Sequence, residues 1–475
     1  MQTNRSAFIT LISVFFFWGF VAASNDILIP VFKEKLNLEQ WQSQMISFAF
    51  YLAYTIGSII YVVVSKLNGS DILNRLGYKN GIALGLFISA CGTLLFYPAA
   101  ELVSFPLMIS GLFIVALGFS LQQTAANPLA IVIGSPSTGS QRLSLAGGIN
   151  NVGTTIGPLI ISFAIFGSVK GHKNLDDLSA VKIPYLILGA AFLIVAVIFK
   201  FSSLPNKIVT QESPGDTAKD DTSSVFKYPQ LWMGMIAIFL YVGVEVATAS
   251  NLPDYMKQHL NIATGEAAPY VSLFWASLMI GRWASSVGVF EIHSILKHVL
   301  RIAVPYLAFG VFLLANYIAG NNLEPFYPYS YVILIMIAGD YLSKGNPARQ
   351  LLIYSVCGIT ALIIGMSTNG LISVYAFISV GLFCSTLWPC IYTLAIAGLG
   401  KKTNQGSSYL IMMIMGGGFI SLLQGWLAGP DIIGIKASYS VGVCCFIYLA
   451  FYGYRSKIIL KKQGIDFDKK SSVSH

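Results

Sequence analysis

The stretch LWPCIYTLAIAGLGKKTNQGSSYLIMMIMGGG, Leu387–Gly418, decides how the chain is read. An apolar run carrying Pro389 ends in a glycine-bearing turn with two lysines, and a second apolar run follows, opened and closed by small residues. The same order of features occurs earlier, where Pro128 is followed by a glycine-bearing loop and then QRLSLAGGINNVG, Gln141–Gly153. A second correspondence joins NRLGYKNG (Asn74–Gly81) to GDYLSKGNPARQ (Gly339–Gln350), each a tight basic loop after an even-numbered apolar run. Two copies of one pattern in one chain predict a parallel internal repeat, an architecture used by membrane carriers.

Outward from these repeats the apolar runs continue to both ends. The 475 residues are 55% hydrophobic and 10% charged, against the ~25% charge of soluble domains. Runs of about 17 to 25 apolar residues are long enough to cross a hydrocarbon core of about 30 Å, so lipid is the expected solvent. The spacing predicts helices over 8–32, 42–65, 80–99, 104–133, 143–169 and 183–203, then 229–252, 267–290, 298–319, 328–343, 349–367, 371–398, 407–429 and 437–456. The first run follows Arg5 but is longer than a signal-peptide core and contains Asp26, so it is kept as a helix.

The expected fold is all-α: a six-helix bundle over 1–204, a cytoplasmic linker over 205–228 and a second bundle over 229–475 with a short cytoplasmic tail. The linker holds QESPGDTAKDDTSS, too poor in apolar residues to pack. Eight helices against six leave 298–319 and 328–343 as a pair inserted before the second basic loop; both must span if Lys344 and Arg349 are to stay on the basic side.

The net charge of +9 does not form a nucleic-acid-binding face. Lys and Arg gather at 66–79, 142, 200–227, 344–349, 401–402 and 455–470, and alternate loops hold few, which is the positive-inside signature and places both termini in the cytoplasm. A multi-pass protein of the cell membrane follows, the inner membrane in a bacterium. The six cysteines lie in apolar segments and the five histidines in loops, near helix ends or at the terminus. Neither set suggests a disulfide framework, a metal site or a catalytic constellation. A membrane-embedded enzyme is therefore disfavoured, and no cofactor is expected.

Polar side chains inside apolar helices are costly and are functional by default. Asp26 is either a carboxylate facing a water-filled cavity or one reaching outer water from the helix end. Glu245, in YVGVEVATAS, is the deepest acid of the second half, with no basic residue at similar depth to neutralise it. Gln123, Asn127, Asn150 and Asn151 add amides near Pro128, Gly147 and Gly148, where freed backbone groups must meet protein or water. Packing is the expected role of Asn127 and Asn151. Trp275, Trp388 and Tyr392 could offer a ring to an apolar ligand face, or simply pack. Arg282, in LMIGRWAS, reads as gating or structural, as do Arg75 and Asp340 in the basic loop motifs.

FFFWGFVAASNDILIP (Phe15–Pro30), SLQQTAANP (Ser120–Pro128), FLYVGVEVATASNLP (Phe239–Pro253) and LWPCIYTLAIAGLGKKTNQGSS (Leu387–Ser408) together resemble the fucose-galactose-glucose proton symporter family of the major facilitator superfamily, and most closely its glucose/galactose-type members. The resemblance implies two pseudo-symmetric six-helix bundles and a sugar site between them. It implies a sugar-contacting, proton-linked acid at Asp26 and a sugar-contacting amide at Asn150; by their own chemistry Gln123, Glu245, Trp388 and Tyr392 are further candidates for substrate contact. Fucose-type members carry a titrating glutamate at the match to Gln123 and a glutamine at the match to Gly147. An amide cannot titrate, so the second coupling acid is expected to have moved to Glu245.

The expected activity is import of a small neutral hexose, glucose- or galactose-like, by proton symport, by a monomer in a lipid bilayer. Sodium coupling, uncoupled facilitation and fucose or N-acetylhexosamine as substrate stay open. A multidrug exporter would carry fewer amides.

Overall fold

The computed structural model describes residues 7–21, 40–135, 138–166, 179–202, 224–262, 264–290, 293–429 and 431–468, which are helical almost throughout and contain no strand. Asp26 and most of the expected linker lie outside the described residues. The first half runs through α1 (Ala7–Val21), α2 (Gln40–Leu67), α3 (Tyr78–Leu94, continued by Phe96–Glu101), α4 (Phe105–Val132), α5 (Gly139–Phe166) and α6 (Ser179–Phe201). The second runs through α7 (Pro229–Leu260), α8 (Thr264–Ser286), α9 (Ser294–Ile318), α10 (Tyr329–Ser343), α11 (Pro347–Ser367), α12 (Gly370–Cys384, continued by Leu387–Ile396), α13 (Thr403–Met412, continued through a 3-10 turn by Gly416–Leu427) and α14 (Ser440–Lys462).

Local chemistry sets these boundaries. Asn346 caps α11 by accepting from the amides of Ala348 and Arg349 at 3.0 and 3.1 Å, with Pro347 in the first helical position where no N–H is needed. Asn261 ends α7 in a left-handed conformation at φ 55°, eight residues beyond the expected stop at 252. Pro253 does not end the helix there. The breaks in α3 and α12 fall before Pro98 and Pro389, whose missing N–H and ring interrupt the ladder.

Among the described residues ten helices are long and apolar enough to cross a membrane, and Ala7–Val21 is a shorter apolar one. Their outer faces carry large apolar groups, such as Ile183 and Phe201 at 66% and 79% exposure. With no hydrophobic drive between helices in lipid, close packing must come from small residues. A Cβ on Gly92 of α3 would lie 2.6 Å from the Gly111 carbonyl oxygen of α4, and one on Gly416 of α13 would lie 2.0 Å from the Phe239 carbonyl oxygen of α7. At both crossings the backbones touch.

The packing order repeats. In the first half α3 packs on α4 and α6, and α2 on α4; in the second α11 packs on α12 and α14, and α8 on α12. Thus α3, α4, α6 and α2 correspond to α11, α12, α14 and α8. The pair α9–α10 falls outside this scheme and lies against α8 and α11.

The halves meet through α5 against α8 and through α2 and α4 against α13. Ser408 Oγ bonds the Ser58 carbonyl at 3.2 Å, and Thr55 Oγ1 the Met412 carbonyl at 3.2 Å. Nearest the basic loops, Asn404 of α13 accepts from the Tyr78 hydroxyl and donates to Asp71 and Asn74 at 3.2 and 3.1 Å. The chain is closed across its basic end.

Candidate substrate and coupling site

The two prolines of the repeat each release a carbonyl, and each carbonyl is claimed from elsewhere. Without an N–H, Pro128 leaves the Thr124 carbonyl of α4 unbonded, and Ser407 Oγ of α13 donates to it at 2.8 Å. Pro389 likewise frees the Ser385 carbonyl of α12, and Arg282 Nε of α8 donates to it at 3.0 Å. The first bond crosses between halves. The second fixes the guanidinium that makes the next crossing: Arg282 Nη1 donates to Asn151 Oδ1 of α5 at 2.7 Å and lies 3.5 Å from the Gly147 carbonyl. Gly147 and Gly148 supply the room, since Cβ atoms there would meet the side chains of Arg282 and Trp283 at 3.2 and 2.6 Å.

Glu245 sits one helical turn beyond Tyr241 on the same face of α7 and accepts the tyrosine hydroxyl. Arg282 Nη2 approaches that hydroxyl to 3.5 Å. The expectation that no cation lies at the depth of Glu245 is therefore corrected. Arg282 lies near the end of α8, and its long side chain reaches the Tyr241–Glu245 pair of α7.

Trp388, half-buried, stacks obliquely over Tyr241 at 6.2 Å and Tyr392 at 5.8 Å. Tyr392 is fully buried and its hydroxyl is joined to Ser407, inside the contact between halves. Trp275 faces outward at 37% exposure, against Phe274 of its own helix.

On the first half, Gln123 Nε2 donates to the Tyr54 hydroxyl at 3.0 Å and stays half-buried. Its neighbour Gln122 is fully buried, bonded to Trp18 and to Ser89, and belongs to the bundle core. Asn150 donates to the Phe15 carbonyl at 2.9 Å and ties α5 to α1. Asn127, where packing was expected, is 2% exposed and its side chain interacts with the Tyr392 hydroxyl of α12, across the contact between halves.

The basic-loop residues take separate places. Arg75 is exposed, and the inter-half contacts of its turn come from Asp71, Asn74 and Tyr78. Asp71, unmarked in the sequence reading, also caps that turn at the Leu73 and Asn74 amides and accepts from Tyr61 at 2.8 Å. Asp340 is buried within the second half, 3.7 Å from Arg301 of α9 and 3.5 Å from Gln350 of α11. It fastens the extra pair and does not bridge the halves. Arg142, counted as a loop cation, is fully buried and donates to the carbonyls of Ala130, Ile131 and Ser135 at the end of α4. Cations favour that end of a helix. His, Cys, Asp and Glu form no metal-holding group among the described residues.

Two helical halves, closed on each other at one end and holding buried polar pairs at their centre, define a membrane carrier. The sequence profile of the Major Facilitator Superfamily matches residues 6–339, and the chain belongs to that superfamily and, within it, to the fucose-galactose-glucose proton symporter family. It is 32% identical over 449 residues to the glucose/galactose transporter of Brucella abortus biovar 1 (strain 9-941), covering 94% of this chain and 93% of that one. It is 28% identical over 472 residues to the L-fucose-proton symporter of Escherichia coli (strain K12), covering 95% and 93%. The crystal structure of FucP in the outward conformation superposes with a TM-score of 0.72 at 25% identity, over 94% of this chain and 98% of that one. The relatives are transporters, and so is this chain.

Proposed function

We propose that the protein imports a neutral hexose, glucose- or galactose-like, by proton symport across a cell membrane, the bacterial inner membrane if the source is bacterial, with the basic end and both termini facing the cytoplasm. The observation that carries this reading is Glu245: a half-buried carboxyl group on α7, near Arg282 of α8 and Cys384 of α12 and hydrogen-bonded to Tyr241, whose ring lies against the half-buried Trp388. A titrating acid adjoining a ring on which a pyranose face can lie couples ion and sugar without covalent chemistry. Gln123 and Asn150 offer amides from the other half, and Tyr392, which interacts with Asn127, backs Trp388. Asp26 is the second coupling acid in this reading, as the family resemblance implies. No cofactor takes part; the coupling ion is the proton.

Closure at the basic end corresponds to the state that admits sugar and proton from outside. Movement of one charge through the membrane potential supplies about 2.3 kcal/mol per 100 mV. The test is sugar uptake into proteoliposomes under imposed proton or sodium gradients, with glucose, galactose, fucose and N-acetylglucosamine offered in counterflow. Proton-driven accumulation of glucose or galactose, abolished in Glu245→Gln, is expected. Accumulation driven by sodium alone, or full concentrative uptake by both Glu245→Gln and Asp26→Asn, refutes the assignment.

A further inference from the structure

We infer that Arg282 and Asn151 form the element through which the charge on Glu245 controls closure of the basic end, which makes Arg282 a positioning residue of the transport reaction rather than a structural one. The inference rests on the proton-symport reading above.

Arg282 has five N–H donors in a rigid fork and no acceptor. Its Nε is spent on the Ser385 carbonyl that Pro389 leaves free, which anchors the fork to α12. The two remaining nitrogens diverge. One reaches across to Asn151 and the Gly147 carbonyl of α5; the other points back to the Tyr241 hydroxyl, which in turn donates to Glu245. A continuous chain thus runs from a titratable carboxyl in one half to an amide in the other, and hydrogen bonds in such a chain polarise one another. Among the described residues, the charged and titratable groups facing Glu245 are Tyr241 on its own helix, Arg282 on α8, which is the one cation of the set, and Cys384 on α12.

The direction follows from charge. An ionised Glu245, by accepting the Tyr241 proton, makes the tyrosine oxygen a stronger acceptor for Arg282 Nη2 and attracts the guanidinium, holding the fork in the register that reaches Asn151. A protonated Glu245 no longer needs the tyrosine proton and no longer attracts the cation, so the leg to α5 loses the charge that positions it. Protonation therefore slackens the basic end, and release of the proton restores it. That is the order a proton importer requires: load outside, open inside, unload, close.

The experiment uses the full chain in proteoliposomes, with native cysteines replaced and spin labels at the exposed positions Asn68 and Lys401 on opposite halves of the basic end. Distances are recorded from alkaline to acid pH beside sugar counterflow and proton-driven accumulation. The wild type is expected to gain a long-distance population on acidification. Asn151→Ala and Arg282→Lys should lose that pH response and reduce accumulation by about tenfold or more, within the range of coupling between sites, while Asn151→Ala keeps counterflow. Asn151→Asp provides the opposite sign: a charge-assisted bond to Arg282 should hold the short distance at pH values where the wild type has opened. If the variants follow the wild-type pH response, the inference fails and the symporter reading stands. If the wild type itself shows neither pH-dependent opening nor proton-driven uptake, both fail together.

Discussion

Asn404→Ala should unseal the basic end. Asn404 is buried and makes three bonds to the first half: it accepts from Tyr78 and donates to Asn74 and to the Asp71 carboxylate. Each net contribution is of order 1 kcal/mol, more for the one to a charge, and the buried Tyr78 hydroxyl is left without its partner in the closed state alone. In the open state water reaches these groups, so the loss falls on closure, at about 3 kcal/mol in total. At 1.4 kcal/mol per factor of ten, the equilibrium moves more than a hundredfold. A carrier about 99% closed becomes about half open. Asp71 does not become an orphan, because Tyr61 and two backbone amides still serve it, so the fold should survive. Spin labels at Asn68 and Lys401 read the outcome as a second, longer distance. A single unchanged distance in Asn404→Ala would show that this cluster does not hold the halves together.

Other substitutions probe separate parts of the structure. Gly416→Ala places a Cβ against the Phe239 backbone carbonyl; overpacking of about 1–3 kcal/mol or more should appear as a lowered melting temperature in detergent, and a wild-type melt would deny the close α7–α13 crossing. Arg301→Ala leaves the buried Asp340 without its cation and should destabilise by about 3–5 kcal/mol, whereas Asp340→Asn should cost much less; equal melts for the two would remove the ion pair from the account. At the carboxy-terminal tail, the hydrogen bond from Lys457, then its charge and that of Arg349, with a bond from Asn346, hold the Asp468 carboxyl below the ordinary Asp range. A depressed carboxylate stabilises its contacts above the unfolded value of about 3.9 and loses them as pH falls through the lower folded one. Hydrogen exchange in the tail should therefore stay protected down to that range and rise below it, and Asp468→Asn should abolish the step.

Much of the fold was legible in one dimension because its causes are one-dimensional. The number of apolar runs, the alternation of basic loops and the insertion of α9 and α10 follow from bilayer thickness and charge placement, which act on each segment separately. The anomaly of Glu245 was equally legible, since an acid in an apolar helix is costly wherever the helix sits. Pro128 and Pro389 marked corresponding breaks, and the missing N–H predicts a free carbonyl without any coordinates. What supplies the donor is not written locally. Ser407 and Arg282 are 283 and 103 residues from the carbonyls they bind, and only packing brings them there. For the same reason the cation beside Glu245, the burial of Arg142 at the end of α4 and the work of Asp71 in place of Arg75 escaped the sequence: each depends on where a long side chain points once helices are assembled. The sequence by itself determined a helical membrane carrier with a titratable acid at its centre. The tertiary structure decided which residues that acid can address, because partners across helices are chosen by interhelical geometry and not by spacing along the chain.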